Sequence, residues 1–294
     1  MRKGIANTSH IAKPVSYIGI RTVPVFTGFT PMLSGLITVA ITLLSFSSLA
    51  QKADNTFTVV IDAGHGGKDP GTRGAYTKEK DIALKVTLKL GEIIEENMKD
   101  VKVLYTRKKD VFIDLDKRSK FANDNHADVF IVIHVNSLPE STPEQRKQSI
   151  MGTETYVLGL HKTEANFEVA RRENSVIFLE ENYQEKYEGF DPNSPESYLM
   201  LTLSQSANLE SSLLLAAKIE SQLKTKGGRK SKGVKQAGFQ VLWQTTMPGV
   251  YCEIGYLSNT KEEKELNDPK VQENIASAIY RALKEYKAQM ESIN

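Results

Sequence analysis

Apolar segments of strand length that alternate with amphipathic helical segments are the feature that most limits the fold of this chain. From residue 56 onwards the strand candidates are 57–62, 101–107, 128–137, 152–160, 238–243 and 249–257. Several of them are apolar on both faces, which is typical of a mainly parallel sheet covered on both sides. The sequence therefore predicts a single α/β domain whose mainly parallel, twisted sheet is flanked by helices on both faces.

Residues 1–50 differ in composition from the rest of the chain. They contain four basic and no acidic side chains, and they end in the apolar run Met32–Ala50. A basic region, an apolar region and the small residues Ser48 and Ala50 at the −3 and −1 positions are typical of a secretory signal peptide. We predict a signal peptide over residues 1–50. A membrane anchor is the alternative, because the run has 19 residues and nearly spans a bilayer.

The charge of the remaining residues is close to balanced. The whole sequence has 38 Lys and Arg against 36 Asp and Glu, and four of the basic residues belong to the N-terminal segment. Residues 51–294 therefore carry a formal net charge of about −2, which gives no basic surface for nucleic acid. Cys252 is the single cysteine, so the domain depends on its hydrophobic core rather than on disulfides.

A long segment interrupts the alternation of strands and helices. About eighty residues separate the fourth predicted strand from the fifth, far more than a crossover helix needs. Its middle, residues 183–197, is polar and contains several Pro and Gly residues. We predict an insertion at about residues 165–210 within the domain 51–294, and insertions of this kind commonly serve a site or its control.

Two histidines and one glutamate occupy positions that a parallel sheet would bring together. His65 follows the first strand in a loop with five glycines, His134 lies near the end of the third strand, and Glu79 opens the first amphipathic helix. Ligands gather beyond the carboxyl ends of strands in open α/β sheets. Two histidines and one carboxylate form the ligand set of a catalytic zinc site whose fourth position stays open.

Taken singly, each of these residues has an ordinary structural explanation. A histidine at a strand end is commonly a hydrogen-bonded loop residue, and an acid is favoured at a helix N-terminus. His126 and His161 lie in polar loops, so neither is included in the candidate site.

Glu253 is an acidic residue inside an otherwise apolar predicted strand. An unpaired carboxylate would cost several kcal/mol to bury there, so a neighbouring cation is expected. Beside a zinc site, a glutamate accepts a proton and later returns it to a leaving amine. A buried arginine as partner is the alternative.

Four motifs in a fixed order carry a resemblance to a known family. They are VVIDAGHGGKDPGTRG, KEKDIAL, FIVIHVNS and PGVYCEIGYLSN. Together they resemble the zinc-dependent N-acetylmuramoyl-L-alanine amidases of the amidase-3 family, over about residues 57–288. The resemblance implies that His65, Glu79 and His134 bind one Zn²⁺ ion per chain and that Glu253 is the catalytic acid and base. It also implies that the glycines let His65 face the metal, and that Asp62 supports the ligands from behind.

The activity that this resemblance implies is hydrolysis of the amide between N-acetylmuramic acid and L-alanine in peptidoglycan. The expected roles are cell-wall remodelling and daughter-cell separation, by an exported protein, most simply in the periplasm, without a permanent membrane anchor. A zinc exopeptidase and an inactive wall-binding module are the alternatives from other classes.

The insertion carries a further resemblance. FEVARRENSVIF resembles the start of the regulatory segment of periplasmic cell-division amidases, in which a helix covers the active site. The resemblance implies that Glu173 occupies the open zinc position until a LytM-type activator protein binds the insertion. Glu180 and Glu181 lie nearby in the sequence and are alternatives for this ligand, and Glu173 as an exposed helix charge is the other explanation.

Overall fold

Six strands form one sheet in the computed structural model of the protein, which describes residues 56–203 and 208–293. The spatial order of the strands is β2-β1-β3-β6-β4-β5. The predicted signal peptide over residues 1–50 lies outside the described residues. In chain order the strands are β1 Phe57–Ala63, β2 Val101–Tyr105, β3 Val129–Asn136, β4 Thr153–Leu158, β5 Ser231–Ala237 and β6 Gly249–Tyr256.

The direction of β4 brings its first residues to the edge of the sheet where neighbouring strands end. All neighbouring strands run parallel except β4 and β6, which are antiparallel. The start of β4 therefore lies beside the carboxyl ends of β3 and β6, and Glu154 pairs with Glu253 in the register. The prediction of a mainly parallel sheet is confirmed.

Ten α-helices and one 3-10 helix connect the strands within the described ranges. They are α1 Glu79–Asn97, α2 Leu115–Asp124, α3 Glu144–Ser149, α4 Glu164–Asn174, the 3-10 helix Ser175–Leu179, α5 Tyr183–Lys186, α6 Pro195–Leu203, α7 Leu209–Thr225, α8 Gln240–Trp243, α9 Thr260–Leu266 and α10 Pro269–Ile293. None of the helices described has the length and apolar character needed to cross a membrane.

Alternate side chains of the central strands enter two hydrophobic clusters, one on each face of the sheet. Val59 and Ile61 pack with α1, α7 and α10, whereas Val60 packs with side chains of α2, α4, α6 and α8. Side chains two residues apart share a face of a strand, so His134 lies on the same face as Val132. Full burial of one such aliphatic side chain contributes about 1.5–3 kcal/mol to the stability of the fold. The prediction of helices on both faces of the sheet is confirmed.

The predicted strand over residues 238–243 is wrong. The fifth strand is β5, and Gln240–Trp243 forms the short helix α8. β5 is an edge strand whose Lys and Gln side chains are half-buried, and edge strands tolerate such polar residues. Phe239, Val241 and Leu242 are apolar because they pack on a face of the sheet.

The segment between β4 and α7, where the insertion was predicted, begins with a well-anchored helix. Thr163 caps the start of α4, since its hydroxyl accepts a hydrogen bond from the Asn166 amide at 3.2 Å. At the other end, the Asn174 side chain donates to the Gly238 carbonyl at 2.7 Å and accepts from the Gln240 amide at 2.8 Å. These bonds fix the last turn of α4 against the segment that leads into α8.

Candidate active site

Glycines around His65 allow an unusually close approach of two histidine rings. His65 itself has φ +59°, in the left-handed region that residues with a Cβ atom seldom adopt. A Cβ atom on Gly64 would lie 2.1 Å from Nε2 of His134, and one on Gly71, at φ +66°, would lie 2.6 Å from the ring of His65. The centroids of the two rings are 4.6 Å apart. The loop therefore needs glycine at both positions.

Two buried arginines hold the backbone of this loop. Arg118 pairs with Asp62 at 2.8 Å and donates to the carbonyl oxygens of Ala63 and His65, each at 2.8 Å. Arg107 donates to the carbonyl oxygens of Ala63 at 2.9 Å and Gly64 at 2.7 Å. Asp62 thus acts on the site through Arg118, which binds the backbone of His65.

Four buried side chains converge at the carboxyl ends of β1 and β3. Nε2 of His65 lies 3.2 Å from Glu79 and 3.1 Å from Glu173, and Nδ1 of His134 lies 3.0 Å from Glu79 and 3.2 Å from Glu173. The structure thus brings together the three predicted ligands and the candidate from the insertion.

The geometry of this cluster fits a zinc ion. Each of the four residues offers one ligand atom, and these atoms all lie within 4.8 Å of one another. A tetrahedral zinc site with bonds of about 2.0–2.1 Å places its ligand atoms about 3.4 Å apart, close to the separations found here. Nε2 of His65 and Oε2 of Glu173 have no hydrogen-bonding partner among the described residues although both are buried. Two histidines and two carboxylates are also donors that zinc accepts.

Hydrogen bonds behind the cluster orient its side chains. Asp69 lies 2.7 Å from Nδ1 of His65, which leaves Nε2 facing the cluster. The Thr72 hydroxyl and amide donate to Oε2 of Glu79 at 2.9 and 2.8 Å, and the Val135 amide donates to its Oε1 at 2.8 Å. Asp69 was not predicted from the sequence, although its place four residues after His65 in GHGGKD was the available signal.

The acidic side chains and the imidazoles of the cluster shift one another's pKa values. Burial alone would lower the pKa of His65, but Glu79, Asp69 and Glu173 more than offset it and raise the pKa well above its ordinary value. Burial likewise opposes ionisation of Glu173, yet Arg172, His134 and His65 hold its pKa well below its ordinary range. The pocket therefore stabilises ionised carboxylates beside cationic groups.

Glu253 is the register partner of His134 on the neighbouring parallel strand β6. Its side chain is buried, and neither carboxylate oxygen has a hydrogen-bonding partner among the described residues. Burial raises its pKa well above the ordinary value, and the nearby charges of Glu173 and Glu79 raise it further. Its ion-pair contact among the described residues is with the guanidinium of Arg172, 3.8 Å from Oε1.

Arg172 connects α4 to the cluster, and this residue was not predicted from the sequence. Its guanidinium donates to Oε1 of Glu173 at 2.9 Å, to the Ser137 carbonyl at 2.9 Å and to Oδ1 of Asn136 at 3.0 Å. It thus lies between Glu173 and Glu253 and bonds to the loop that follows β3. The neighbouring residues Arg172, Glu173 and Asn174 therefore all have contacts that fix the end of α4.

Comparison with known proteins identifies the family. Residues 59–285 match the sequence profile of the family described as N-acetylmuramoyl-L-alanine amidase. The chain belongs to this family. AmiC, the N-acetylmuramoyl-L-alanine amidase of Escherichia coli O6:H1 strain CFT073, is 29% identical over 79% of this chain and 53% of AmiC. YqiI of Bacillus subtilis strain 168 is 30% identical over 84% of this chain and 93% of YqiI.

A solved structure extends the likeness to the fold. It is that of the CwlD amidase from Clostridioides difficile in complex with the GerS lipoprotein, with a TM-score of 0.56 and 25% identity over 79% of this chain and 98% of that chain. The chain thus spans about half the length of AmiC but nearly all of YqiI and of the matched CwlD chain. The predictions of the family, of the α/β fold and of an amidase enzyme are confirmed.

The remaining acidic and histidine candidates of this amidase domain lie away from the cluster. Glu180 accepts from the Leu115 amide at 2.9 Å and the Tyr187 hydroxyl at 2.8 Å, and it pairs with Lys186 at 2.9 Å. Glu181 is exposed. His161 packs against aromatic rings, and His126 lies in the turn after α2. Of the three glutamates considered in the insertion, Glu173 contacts the two histidines.

Proposed function

We propose that this chain is a zinc hydrolase that cleaves the amide between the lactyl group of N-acetylmuramic acid and L-alanine in peptidoglycan. The family supports peptidoglycan as the substrate. The observation that carries the finer proposal is the pairing of His134 with Glu253 across β3 and β6, beside His65 and Glu79. This arrangement offers three metal ligands and, as a fourth residue, a separate carboxylate beside them at the carboxyl ends of β1 and β3.

His65, Glu79 and His134 would hold the zinc ion. Zinc would supply a Lewis acid at the substrate carbonyl and would lower the pKa of a water molecule in the fourth position to about 7. Glu253 accepts a proton from the attacking water and donates it to the alanine nitrogen as the amide bond breaks. Its buried position on a central strand restricts the motion of the carboxylate. A fixed position is needed for the carboxylate to exchange a proton with one particular atom.

We infer that Glu173 restrains this activity. Its Oε2 lies 3.1 Å from His65 and 3.2 Å from His134, so it would take the coordination position that the reaction needs open. Arg172 and Asn174 hold the helix end that carries it. The chain as described is then the closed state of an autoinhibited enzyme.

Release of this restraint needs a partner that prefers the open state. A LytM-type activator would bind the insertion and move α4, and each ~1.4 kcal/mol of preference raises the open-to-closed ratio tenfold. The complex of CwlD with the GerS lipoprotein is a precedent for a protein partner on a domain of this fold. Export to the periplasm and a part in daughter-cell separation belong to the same proposal, supported by the signal-type pattern of residues 1–50.

Digestion of purified peptidoglycan tests the activity. Residues 51–294, as the parent chain and as Glu173→Ala, are incubated with and without zinc, and the released peptides are analysed by mass. An amidase releases intact stem peptides that begin with L-alanine, and only when zinc is present. Shortened peptides would identify an exopeptidase, and the absence of any release from both proteins would favour a wall-binding module.

A further inference from the structure

A groove of about 820 Å³ adjoins the metal-ligand cluster. Thr72, whose hydroxyl donates to Glu79, and Arg172, which pairs with Glu173, both line it, so the groove begins beside the cluster. Its cationic side chains outnumber its carboxylates, and it is called the basic groove below. The cationic residues are Arg73, Arg146, Arg171, Arg172, Lys232 and Lys235.

Two lysines of β5 are held in this groove by a single carboxylate. Nζ of Lys232 and Nζ of Lys235 each lie 2.8 Å from Oε1 of Glu154, whose side chain is 1% exposed. The hydroxyls of Tyr156 and Tyr256 donate to the same carboxylate at 2.6 and 2.7 Å. Lys235 and the other partners hold the pKa of Glu154 at about 2 in spite of burial.

The lysine pair keeps one unneutralised positive charge that faces the groove. Glu154 is ionised and carries one negative charge against two ammonium groups. The side chains of Lys232 and Lys235 remain 28% and 23% exposed, so their ammonium groups are accessible from the groove. Among the described residues, Nζ of Lys235 contacts the carboxylate of Glu154, which leaves two of its three N–H donors for a ligand.

The distance from the lysine pair to the reacting centre matches a short peptide. Glu154 and Glu253 are directly opposite each other on β4 and β6, and side chains in such pairs are about 5 Å apart. The ammonium groups of Lys232 and Lys235 contact Glu154, on the side away from Glu253. They therefore lie on the order of 8 Å from Glu253. Two residues of extended peptide span about 7 Å. A carboxylate on the second residue of the leaving peptide could therefore reach them.

We propose that Lys232 and Lys235 form a carboxylate-binding subsite that selects stem peptides with a free α-carboxylate on their second residue. The proposal rests on the proposed amidase function, because it assigns the basic groove to the leaving peptide. The glycan strand at the reacting bond is uncharged, whereas the peptide carries carboxylates, so the surplus positive charge matches the peptide side. Amidation of that carboxylate weakens binding.

Two soluble muramyl dipeptides that differ by one group test the selectivity. They are the γ-methylamides of N-acetylmuramoyl-L-alanyl-D-glutamate and of N-acetylmuramoyl-L-alanyl-D-isoglutamine, so the α-carboxyl group is the one carboxyl that differs. The kcat/KM is measured with zinc for residues 51–294 carrying Glu173→Ala. We expect a preference of about tenfold for the acid, the size of one charge-assisted hydrogen bond. In the same background, Lys235→Gln brings this ratio close to one through KM, and Lys235→Arg retains it. Lys230→Gln, an exposed lysine just before β5, leaves it unchanged.

Binding of the product peptides separates this proposal from the amidase proposal. The dissociation constants of the γ-methylamides of L-alanyl-D-glutamate and of L-alanyl-D-isoglutamine are measured by calorimetry with the same proteins, with thermal melting as the check on folding. If no protein releases peptide from peptidoglycan or from either muramyl dipeptide, the proposed function fails, and the binding preference alone decides the subsite. Equal binding of the two dipeptides by the Glu173→Ala protein, or an unchanged preference when Lys235→Gln is added and the protein remains folded, overturns the subsite.

Discussion

Glu154 and Glu253 lie opposite each other on antiparallel strands β4 and β6, yet their environments drive their pKa values in opposite directions. Glu154 contacts two lysines and two tyrosine hydroxyls, and its pKa is held at about 2. Glu253 is buried without a hydrogen-bonding partner among the described residues, and its pKa is raised. When the environments of two neighbouring carboxylates separate their pKa values, one commonly stays ionised while the other transfers protons.

Replacement of Glu253 by Gln should separate metal binding from chemistry. Gln has nearly the same shape but cannot accept a proton, so the variant should retain zinc and lose at least ~100-fold in kcat. Metal content by atomic absorption and release of stem peptides from peptidoglycan measure the two effects. Glu181→Gln, at an exposed position of the insertion, is the control for a change of one charge. A Glu253→Gln variant with near-normal kcat would move the proton-transfer role to another residue.

Replacement of Glu154 by Gln should reduce the dependence of stability on acid pH. The pKa of Glu154 is lowered from 4.5 to about 2 in the folded chain, so its ionised form favours folding above pH 4.5. That contribution, about 3 kcal/mol at 1.36 kcal/mol per pKa unit, is lost as the pH falls from 4.5 through about 2. Urea unfolding at pH 5 and pH 3 measures the roughly one half of this loss that falls between the two pH values. If Glu154→Gln lost as much stability between these pH values as the parent, the ion pairs would contribute little.

The sequence predicted the parts of the site that repeat a recognisable local pattern. His65, Glu79 and His134 stand at the ends of apolar strands or at the start of an amphipathic helix, so their approach follows from the direction of parallel strands. Glu253 was noticeable because an acidic side chain interrupts an apolar strand. Each of these signals depends on neighbours in the sequence.

The parts that the sequence did not predict depend on long-range pairing. Glu154 lies beside Glu253 only because β4 runs antiparallel to β6, and no local pattern fixes that direction. The strand β5 was missed because its side chains alternate little in polarity at the edge of the sheet. The contact of Arg172 with Asn136 and Ser137 depends on how α4 packs over the loop after β3.

Removal of the metal ligands should lower zinc content and activity together. His65→Ala and His134→Ala each delete one of the three ligands that we propose hold zinc, so both variants should bind zinc weakly and release little peptide from peptidoglycan. Zinc titration with a chromophoric chelator measures affinity. His126→Ala, a histidine in the turn after α2, is the control. Full zinc content and full turnover in His134→Ala would remove it from the ligand set.

Substitution of Gly64 by Ala should displace the ring of His134. The added Cβ atom would lie 2.1 Å from its Nε2, so ring or loop must shift, at a cost of about 1–3 kcal/mol. We expect reduced zinc affinity and a lower melting temperature. Gly189→Ala is the control for zinc affinity, because nothing lies within 4 Å of the new atom and its φ of +77° can affect the melting temperature but not the ring of His134. Gly64→Ala with the zinc affinity of the parent would show that the two rings need not approach closely.

Replacement of Glu173 by Ala should activate the chain without a partner. The variant loses the carboxylate that contacts both histidines but keeps His65, Glu79 and His134, so it should retain zinc with the fourth position open. Basal release of stem peptides should rise at least ~10-fold, which corresponds to ~1.4 kcal/mol of preference for the closed state. Deletion of residues 171–198 should have a similar effect.

Two further variants identify how the restraint works. Glu180→Ala breaks contacts with Leu115, Lys186 and Tyr187 that anchor the insertion, so it should raise basal activity by a smaller factor while Glu173 remains in place. Glu181→Ala changes an exposed side chain and should leave basal activity at the level of the parent. If Glu173→Ala and the deletion are no more active than the parent while both bind zinc, α4 does not inhibit the enzyme. Its position along the basic groove would then assign it to substrate recognition.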